Sequence, residues 1–432
     1  MSTGLEPRRI AARVFTEVMK RQWTIESALE AAPGYNGMEA RDRAFARAMT
    51  ATAIRRVGQT ETVLNSFLSK PLNETSTSAQ AILMIGATQL LWMDVPAHAV
   101  VSSAVDLAAE RPDARKLKGL INAVLRKVAN QGSAIATTAP PQENLPEWLR
   151  TSWRKAYGPG RLSRMSDVVL KSPPLDLTLK DPSQAELWAE RLDARILPTG
   201  SLRRDVIGDI TALPGFEEGA WWAQDVAAAI PARLLNIQPK ERVVDLCAAP
   251  GGKTMQLAAA GGLVTAIDSS ATRLKRVSQN LARTGLDARI IATDGRGWTP
   301  KRPVDAVLLD APCTATGTLR RHPEAAWIKR PADVYKMRDI QLALVKSAEK
   351  MLRPGGRLVV CTCSLQPEEG EFLAIEIARQ YKNLQPSPVD ESEVPGLSKA
   401  ITTDGFLRLT PANWSDHGGM DGFFIARFTK SA

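Results

Sequence analysis

Cysteine is scarce in this sequence: four residues, at positions 247, 313, 361 and 363 of 432. That is too few, and too unevenly spread, for a disulfide-stapled secreted fold. No apolar run approaches the roughly 18–20 residues that cross a bilayer, which argues against a membrane-spanning chain. The opening MSTGLEPRRIAARVF has neither the apolar core nor the small-residue cleavage site of a secretory leader, so the expected location is cytoplasmic. Histidine is rarer still, with residues only at 98, 322 and 417. None of them stands in a catalytic or ligand-binding pattern, and His322, before Pro323, reads as loop-shaping. Disorder is disfavoured, because the apolar share is 44% and the mean hydropathy −0.17, ordinary for a globular chain.

Acidic residues are outnumbered 46 to 56 by Lys and Arg, giving a formal net charge of +10. Either a generally basic surface or a polyanionic partner, most often nucleic acid, accounts for this. A chain this long suggests two or three domains. The first, 1–133, reads as all-helical: Ile10, Ala11, Val14, Phe15 and Val18 recur at helical spacing. AQAILMIGATQLLWMDVP is apolar nearly all round, as a central bundle helix would be, and the expected polar faces carry Arg8, Arg9, Arg41, Arg43, Arg47, Arg55, Arg56, Lys116, Lys118, Arg126 and Lys127. Residues 134–218 read as a linker and a small α/β domain. The linker is expected across 130–146, which are small, polar and proline-rich, and short β-like runs follow at LDLTLK, ARILP and VIGDIT. From 219 to 432, β-branched runs (ERVVDL, LVTAID, ARIIAT, VDAVLLD, GRLVVCT) alternate with helical segments, the pattern of a parallel sheet covered on both faces. GFLRLT and DGFFIARF are expected as two further strands on the sheet edge.

In such a sheet, ligands bind outside the carboxyl ends of the strands. The first strand ends in Cys247-Ala248-Ala249-Pro250-Gly251-Gly252-Lys253-Thr254. Gly-Lys-Thr closes a triphosphate loop, but that loop needs a glycine where Cys247 stands, and a side chain there resists the backbone angles glycine adopts freely. The later strands end at Asp268, Asp294, Asp310 with Cys313, and Cys363. A glycine turn followed by an acid suits NAD, FAD or S-adenosylmethionine alike, and a strand-end Asp can equally be a helix cap. The cysteines are small buried hydrophobes, a metal set, or a nucleophile. Cys361-Thr-Cys363 lacks the spacing of a structural zinc site, so no metal is expected, and a strand-end thiol near cations suits a nucleophile.

Together, VVDLCAAPGGKT, DAPCTATGTLRRHPE, CTCSLQPEE and DGFFIARF resemble the RNA cytosine-C5 methyltransferases of the Sun/Fmu type. RDRAFAR, ILMIGATQLLWMDVPAHAVVSSAVDLA and GLINAVLRKV resemble the NusB-type helical RNA-binding domain that such enzymes carry. The resemblance implies a multidomain protein: an all-α NusB-like domain, a small α/β domain, and a Rossmann-like α/β domain that uses S-adenosylmethionine. It implies Cys363 as nucleophile toward cytosine C6, Cys313 as the residue assisting release, and Asp310 on the base edge. Cys247, Ala248, Ala249, Pro250, Gly251, Gly252 and Lys253 would line the cofactor with Asp310, Asp268 would hold its ribose and Asp294 its adenine. Lys253 could face the active site instead. Arg320 and Arg321 would touch the RNA backbone. The implied partner is 16S ribosomal RNA, free or in an early small-subunit particle, and the protein a monomer without a membrane role. The same chemistry on transfer RNA or another RNA, and a non-catalytic RNA-binding factor, are the alternatives. Two departures stand out: Ala315 occupies a usual glycine position, and Cys361 would share a strand face with Cys363.

Overall fold

The structure is a computed structural model that describes residues 4–206 and 208–431. It divides into two compact units, residues 1–171 with 319–330, and residues 172–318 with 331–432. The first unit is helical. Its main helices are Leu5–Arg21, Ala40–Arg55, Val57–Asn65, Thr77–Trp92, Ala97–Glu110 and Lys118–Thr138. The expected stripe of Ile10, Ala11, Val14, Phe15 and Val18 is buried. Thr77–Trp92 starts where the Ser76 side chain accepts from the Ala79 amide, a cap that satisfies an otherwise orphan donor. Its run from Ala81 through Gln89 is buried on every face, as its continuous apolar sequence requires.

Three arginines expected on polar faces are structural instead. Arg8 is buried and donates to Gln89 (2.8 Å) and to the Gly4 carbonyl (2.7 Å). Arg55 donates to the Arg320 carbonyl at 2.9 Å, and burial pulls its pKa down to about 10. Arg56 stacks over the Trp92 ring at 4.4 Å. Helical periodicity reports which side of a helix a residue occupies, not whether a neighbour covers that side.

The expected linker also differs. The helix Lys118–Thr138 runs through its first half, and a short 3-10 turn, Pro141–Asn144, occupies the rest. Asn144 explains the order: its side chain accepts from the Gln59 amide at 3.0 Å and donates to the Pro141 carbonyl. The helices Glu147–Tyr157 and Pro159–Val169 belong to this first unit, with Trp153 fully buried.

The second unit contains two sheets. Strands β1 (Leu175–Leu179), β2 (Arg195–Ile196), β3 (Leu202–Arg204) and β4 (Trp221–Ala223) form a small antiparallel sheet in the order β2-β3-β1-β4. Of the expected β-run VIGDIT, Ile207 lies outside the described residues, and Ile210–Ala212 is a 3-10 turn capped by Asp209. The small sheet is not a body of its own. Arg203, fully buried, makes a two-pronged ion pair with Asp176 (2.6 and 2.7 Å) and donates to the carbonyls of His417 and Gly419. Asp176 also accepts from the Val226 amide at 3.0 Å.

The large sheet comprises β5 (Arg242–Leu246), β6 (Leu263–Asp268), β7 (Arg289–Ala292), β8 (Val304–Asp310), β9 (Leu352–Thr362), β10 (Leu384–Pro386), β11 (Leu407–Leu409) and β12 (Phe423–Lys430). Its order is β10-β12-β9-β8-β5-β6-β7, with β11 also on β12. β5 to β9 pair in parallel as expected, and β12 runs antiparallel to β9. DGFFIARF is therefore an inner strand; the edge beyond it is β10 and β11. The Rossmann-like class holds, with a mixed rather than wholly parallel sheet.

Arg203→Met leaves Asp176 buried without its partner, a change that typically costs about 3–5 kcal/mol. Urea unfolding should register a loss of that order, and an unchanged midpoint would remove the pair from the account of how the small sheet is held.

Candidate active site

The order of the large sheet determines where a site can form. After β5 the chain adds β6 and β7 on one side, then crosses to place β8 and β9 on the other. The crevice at that reversal, beyond the strand ends, is where such sheets bind ligands. Leu246 of β5 lies opposite Leu309 of β8, and Asp310 of β8 opposite Cys361 of β9. The segments after these three strand ends are thereby neighbours.

Beyond β5, Cys247 adopts φ +63° and Gly251 φ +104°, and the Ala249–Pro250 bond is cis. Cys247 thus takes the left-handed conformation that the sequence argument reserved for glycine. The triphosphate reading is opposed by what its two key side chains do. Thr254 is fully buried and donates to Asp245 at 2.6 Å, while the Lys253 ammonium is 2.7 Å from Asp310 and 5.2 Å from the Phe423 ring centre. Both groups are already occupied within the protein, and Lys253 faces Asp310. Burial lowers the Lys253 pKa, but Asp310, Cys361 and Asp245 more than offset this and raise it overall, so it stays an ammonium.

The acids make this end of the sheet suited to a cation. Asp245, which the sequence reading passed over, is fully buried; one oxygen holds Thr254 and the other has no hydrogen-bond partner. Burial, reinforced by Asp310 and Asp268, lifts its pKa to about 7, against the opposing Thr254 hydrogen bond and the Lys253 charge. Burial and the same acids push the Cys247 thiol up to about 12, which keeps it neutral. Asp268 is buried and accepts from the Ala249 and Ser270 amides. A buried oxygen left free among carboxylates fits a positively charged ligand, as S-adenosylmethionine is, better than a triphosphate. Ala248, Ala249, Gly251 and Lys253 are buried, Gly252 is half-buried and Pro250 exposed. Asp294 is exposed and paired to Arg296 at 2.6 Å, apart from the buried acids in character.

Beyond β8 and β9 lie the two thiols. Cys313 and Cys363 are both half-buried, with their sulfurs 3.5 Å apart. The hydrogen bond to Cys363 and burial raise the Cys313 pKa well above that of an ordinary thiol. Cys361 is fully buried, 3.5 Å from Asp310, and its pKa is also raised, chiefly by burial. It packs in the same cluster as Cys363, as the strand alternation implied, but its burial sets it apart from the half-exposed pair. The loop carrying Cys313 lies directly on the Cys363 backbone: Gly317 donates to the Cys363 carbonyl at 2.9 Å, and a Cβ on Gly317 would meet the Gly422 carbonyl oxygen at 2.1 Å. Ala315 sits at φ +55°, which costs an L-residue roughly 1–2 kcal/mol and explains why glycine suits that position.

Arg320 must be corrected. It is fully buried, its guanidinium nitrogens have no hydrogen-bond partner, and its segment belongs to the first unit; no RNA phosphate can reach it. Arg321 is exposed. Among the described residues, the group with metal-like spacing is Glu26, His322 and Glu324, in the helical unit, and it includes none of the cysteines. Glu26 is already bonded to Arg47 there. Besides Asp245, sequence reasoning missed Glu369, inside the quoted CTCSLQPEE, and Phe423, inside DGFF. The signals were a lone carboxylate in an apolar strand and an acid closely following a strand-end cysteine.

Comparison with known proteins agrees with this geometry. Residues 232–429 match the family described as 16S rRNA methyltransferase RsmB/F, and residues 5–130 match the NusB family. The ribosomal RNA small subunit methyltransferase B of Klebsiella pneumoniae is 32% identical over 94% of this chain and 98% of its own. A probable ribosomal RNA small subunit methyltransferase B of Synechocystis is 30% identical over 99% of this chain and 100% of its own. The crystal structure of a methyltransferase homologue from Pyrococcus horikoshii is 26% identical, covers 65% of this chain and 93% of its own, and superposes with a TM-score of 0.55. With a NusB-like helical unit ahead of a Rossmann-like sheet whose acid-rich crevice suits S-adenosylmethionine, the chain belongs to the RsmB/F family of S-adenosylmethionine-dependent rRNA methyltransferases.

Proposed function

We propose that the protein methylates C5 of a cytosine in 16S ribosomal RNA through a covalent bond from Cys363 to ring carbon C6. The observation that carries this reading is the thiol pair, Cys313 and Cys363, 3.5 Å apart beside the Lys253–Asp310 ion pair. The similarity to ribosomal RNA small subunit methyltransferases B supports the substrate. The RNA is free or in an early small-subunit particle, and the enzyme works as a cytoplasmic monomer.

Cytosine C5 is too electron-poor to attack a methyl group unaided. Addition of the Cys363 thiolate to C6 makes C5 enamine-like, which splits one hard step into easier ones. S-adenosylmethionine supplies the methyl group, made electrophilic by its positively charged sulfur. Asp310, held by Lys253 and still partly open, accepts a hydrogen bond from the N4 amino group on the base edge, and the Lys253 ammonium offsets the negative charge that the addition pushes into the ring; a well-placed group of this kind contributes about 3–4 kcal/mol. In the last step the C5 proton leaves to solvent and its bonding pair becomes the C5–C6 double bond. The C6–S pair returns to Cys363, and the neutral thiol of Cys313 donates its hydrogen bond to that departing sulfur. A stacked target base must swing out to reach the thiols. In the same reading, the 247–253 turn and Asp310 border the methionine end, Asp268 holds the ribose, Asp294 the adenine, and Arg321 an RNA phosphate.

Transfer of labelled methyl to protein-free small-subunit RNA tests the scheme. Cys363→Ala should abolish turnover, whereas Cys313→Ala should accumulate a covalent RNA–protein adduct on a denaturing gel. If Cys313→Ala yields no adduct, the two-thiol scheme fails.

The raised pKa of Asp245 makes cofactor binding depend on pH. Between the ordinary carboxylate range and about 7, folded Asp245 keeps a proton that the unfolded chain has released, so folding stability falls as pH rises through that window. Loss of that proton adds a negative charge beneath the crevice, so affinity for a cation in the crevice rises over the same window. Calorimetry should show cofactor binding tighten by up to about tenfold per pH unit below 7, and Asp245→Asn should flatten the dependence.

Lys116, Lys118, Arg126 and Lys127 are exposed on the helical unit and are the phosphate contacts in this reading. RNA affinity should fall steeply with salt, and replacing all four by Ala should lower the log–log slope by about 3. A flat response in the parent protein would take that role from the basic residues.

A further inference from the structure

Glu369 lies outside the acid-rich crevice, and the scheme above gives it no task. It is fully buried. Its Oε1 accepts from the Thr314 amide at 2.9 Å and the Gln341 side chain at 3.1 Å, and its Oε2 accepts from the Ser364 hydroxyl at 2.6 Å and from the Thr314 hydroxyl. Its backbone carbonyl accepts from the Thr362 hydroxyl at 2.9 Å. Thr314 and Ser364 are the residues directly after Cys313 and Cys363. One carboxylate therefore holds both thiol-bearing loops by their next residue.

The surrounding bonds have the same effect. The Ser364 hydroxyl lies 3.1 Å from that of Thr314 and 3.2 Å from that of Thr316, and Thr316 accepts from the Leu365 amide at 3.0 Å. Gln341 reaches past Glu369 to the Pro312 carbonyl at 2.8 Å, next to Cys313. Burial raises the Glu369 pKa, against the four donors that favour its charged form. Both carboxylate oxygens are taken up by protein donors and the side chain is fully buried, so proton transfer to a base is not its role. A buried group spent wholly on two loops has one evident consequence: it sets how close the loops approach.

We infer that Glu369 is a positioning residue for the release step, holding the Cys313 sulfur against the Cys363 sulfur by strapping together the loops that carry them. The inference rests on the two-thiol reading. Cys363 can add to C6 without the strap, because it directly follows Thr362, the last residue of β9. Expulsion of Cys363 needs Cys313 at hydrogen-bond range, and a misplacement of about 1 Å can cost on the order of 10²-fold in rate.

The test compares Glu369→Gln, Cys313→Ala and the parent in multiple-turnover methylation, with adduct read on a denaturing gel. Glu369→Gln keeps the shape but turns an amide donor toward donors on Thr314 or Ser364. The expected result is a fall in kcat on the order of 10²-fold, with RNA KM and cofactor Kd unchanged and adduct accumulating as in Cys313→Ala. A residue with only a structural role would lower Tm or the active fraction without trapping RNA. Adduct with Cys313→Ala but none with Glu369→Gln overturns this inference alone, whereas no adduct with either overturns the two-thiol reading itself. Should Glu369→Gln fail to fold, Thr314→Val decides, since it removes one hydroxyl donor from the strap. Partial trapping upholds the strap, and parent-like turnover without trapping overturns it.

Discussion

The pairing of β8 between β5 and β9 is the constraint on which the site depends. Parallel strands in register deliver their carboxyl ends to one edge, and the reversal at β5 makes three of those ends neighbours. The glycine turn, Asp310 with Cys313, and Cys363 come from segments 50 or more residues apart in the chain. The sheet ladder brings these segments together, and the left-handed residues Cys247, Gly251 and Ala315 shape the loops locally.

Electrostatics then divide the edge into two halves. On the β5 side, Asp245, Asp268 and Asp310 gather round a turn of small residues, and one buried carboxylate oxygen is left unpaired. Burying acids together is unfavourable, and the protein offsets it incompletely, through Thr254 and Lys253. The negative charge left uncompensated there opposes an anionic triphosphate at this edge of the sheet. On the β9 side, the hydrogen bond to Cys363 together with burial holds Cys313 neutral, and burial holds Cys361 neutral. Partial exposure of Cys313 and Cys363, against full burial of Cys361, separates a usable pair from a packing residue.

Much of the site was legible in the sequence because strand ends can be read from composition. β-branched runs mark the strands, and the residue following each run lies at the ligand edge whatever the strand order. Asp268, Asp310, Cys313 and Cys363 were found that way, as were the helical face of Leu5–Arg21 and the all-round burial of Thr77–Trp92. The inner position of β12 was not legible, because strand order depends on which edges remain open after the rest of the sheet has formed. Arg320 misled for a related reason: its charge pointed to a surface, yet it is buried in the helical unit.

From the sequence by itself followed the helical and α/β regions and the identity of the strand-end groups, while the chemistry expected of the two thiols came with the family resemblance of the motifs around them. These are properties of local pattern and of residue type. Only the tertiary structure decided that Lys253 and Thr254 are spent on Asp310 and Asp245, that Asp245 keeps a free oxygen, and that Glu369 ties the residues after both cysteines. A hydrogen bond or a shifted pKa depends on which groups share a water-excluded volume, and residues far apart in the chain come to share one only once the strands have paired.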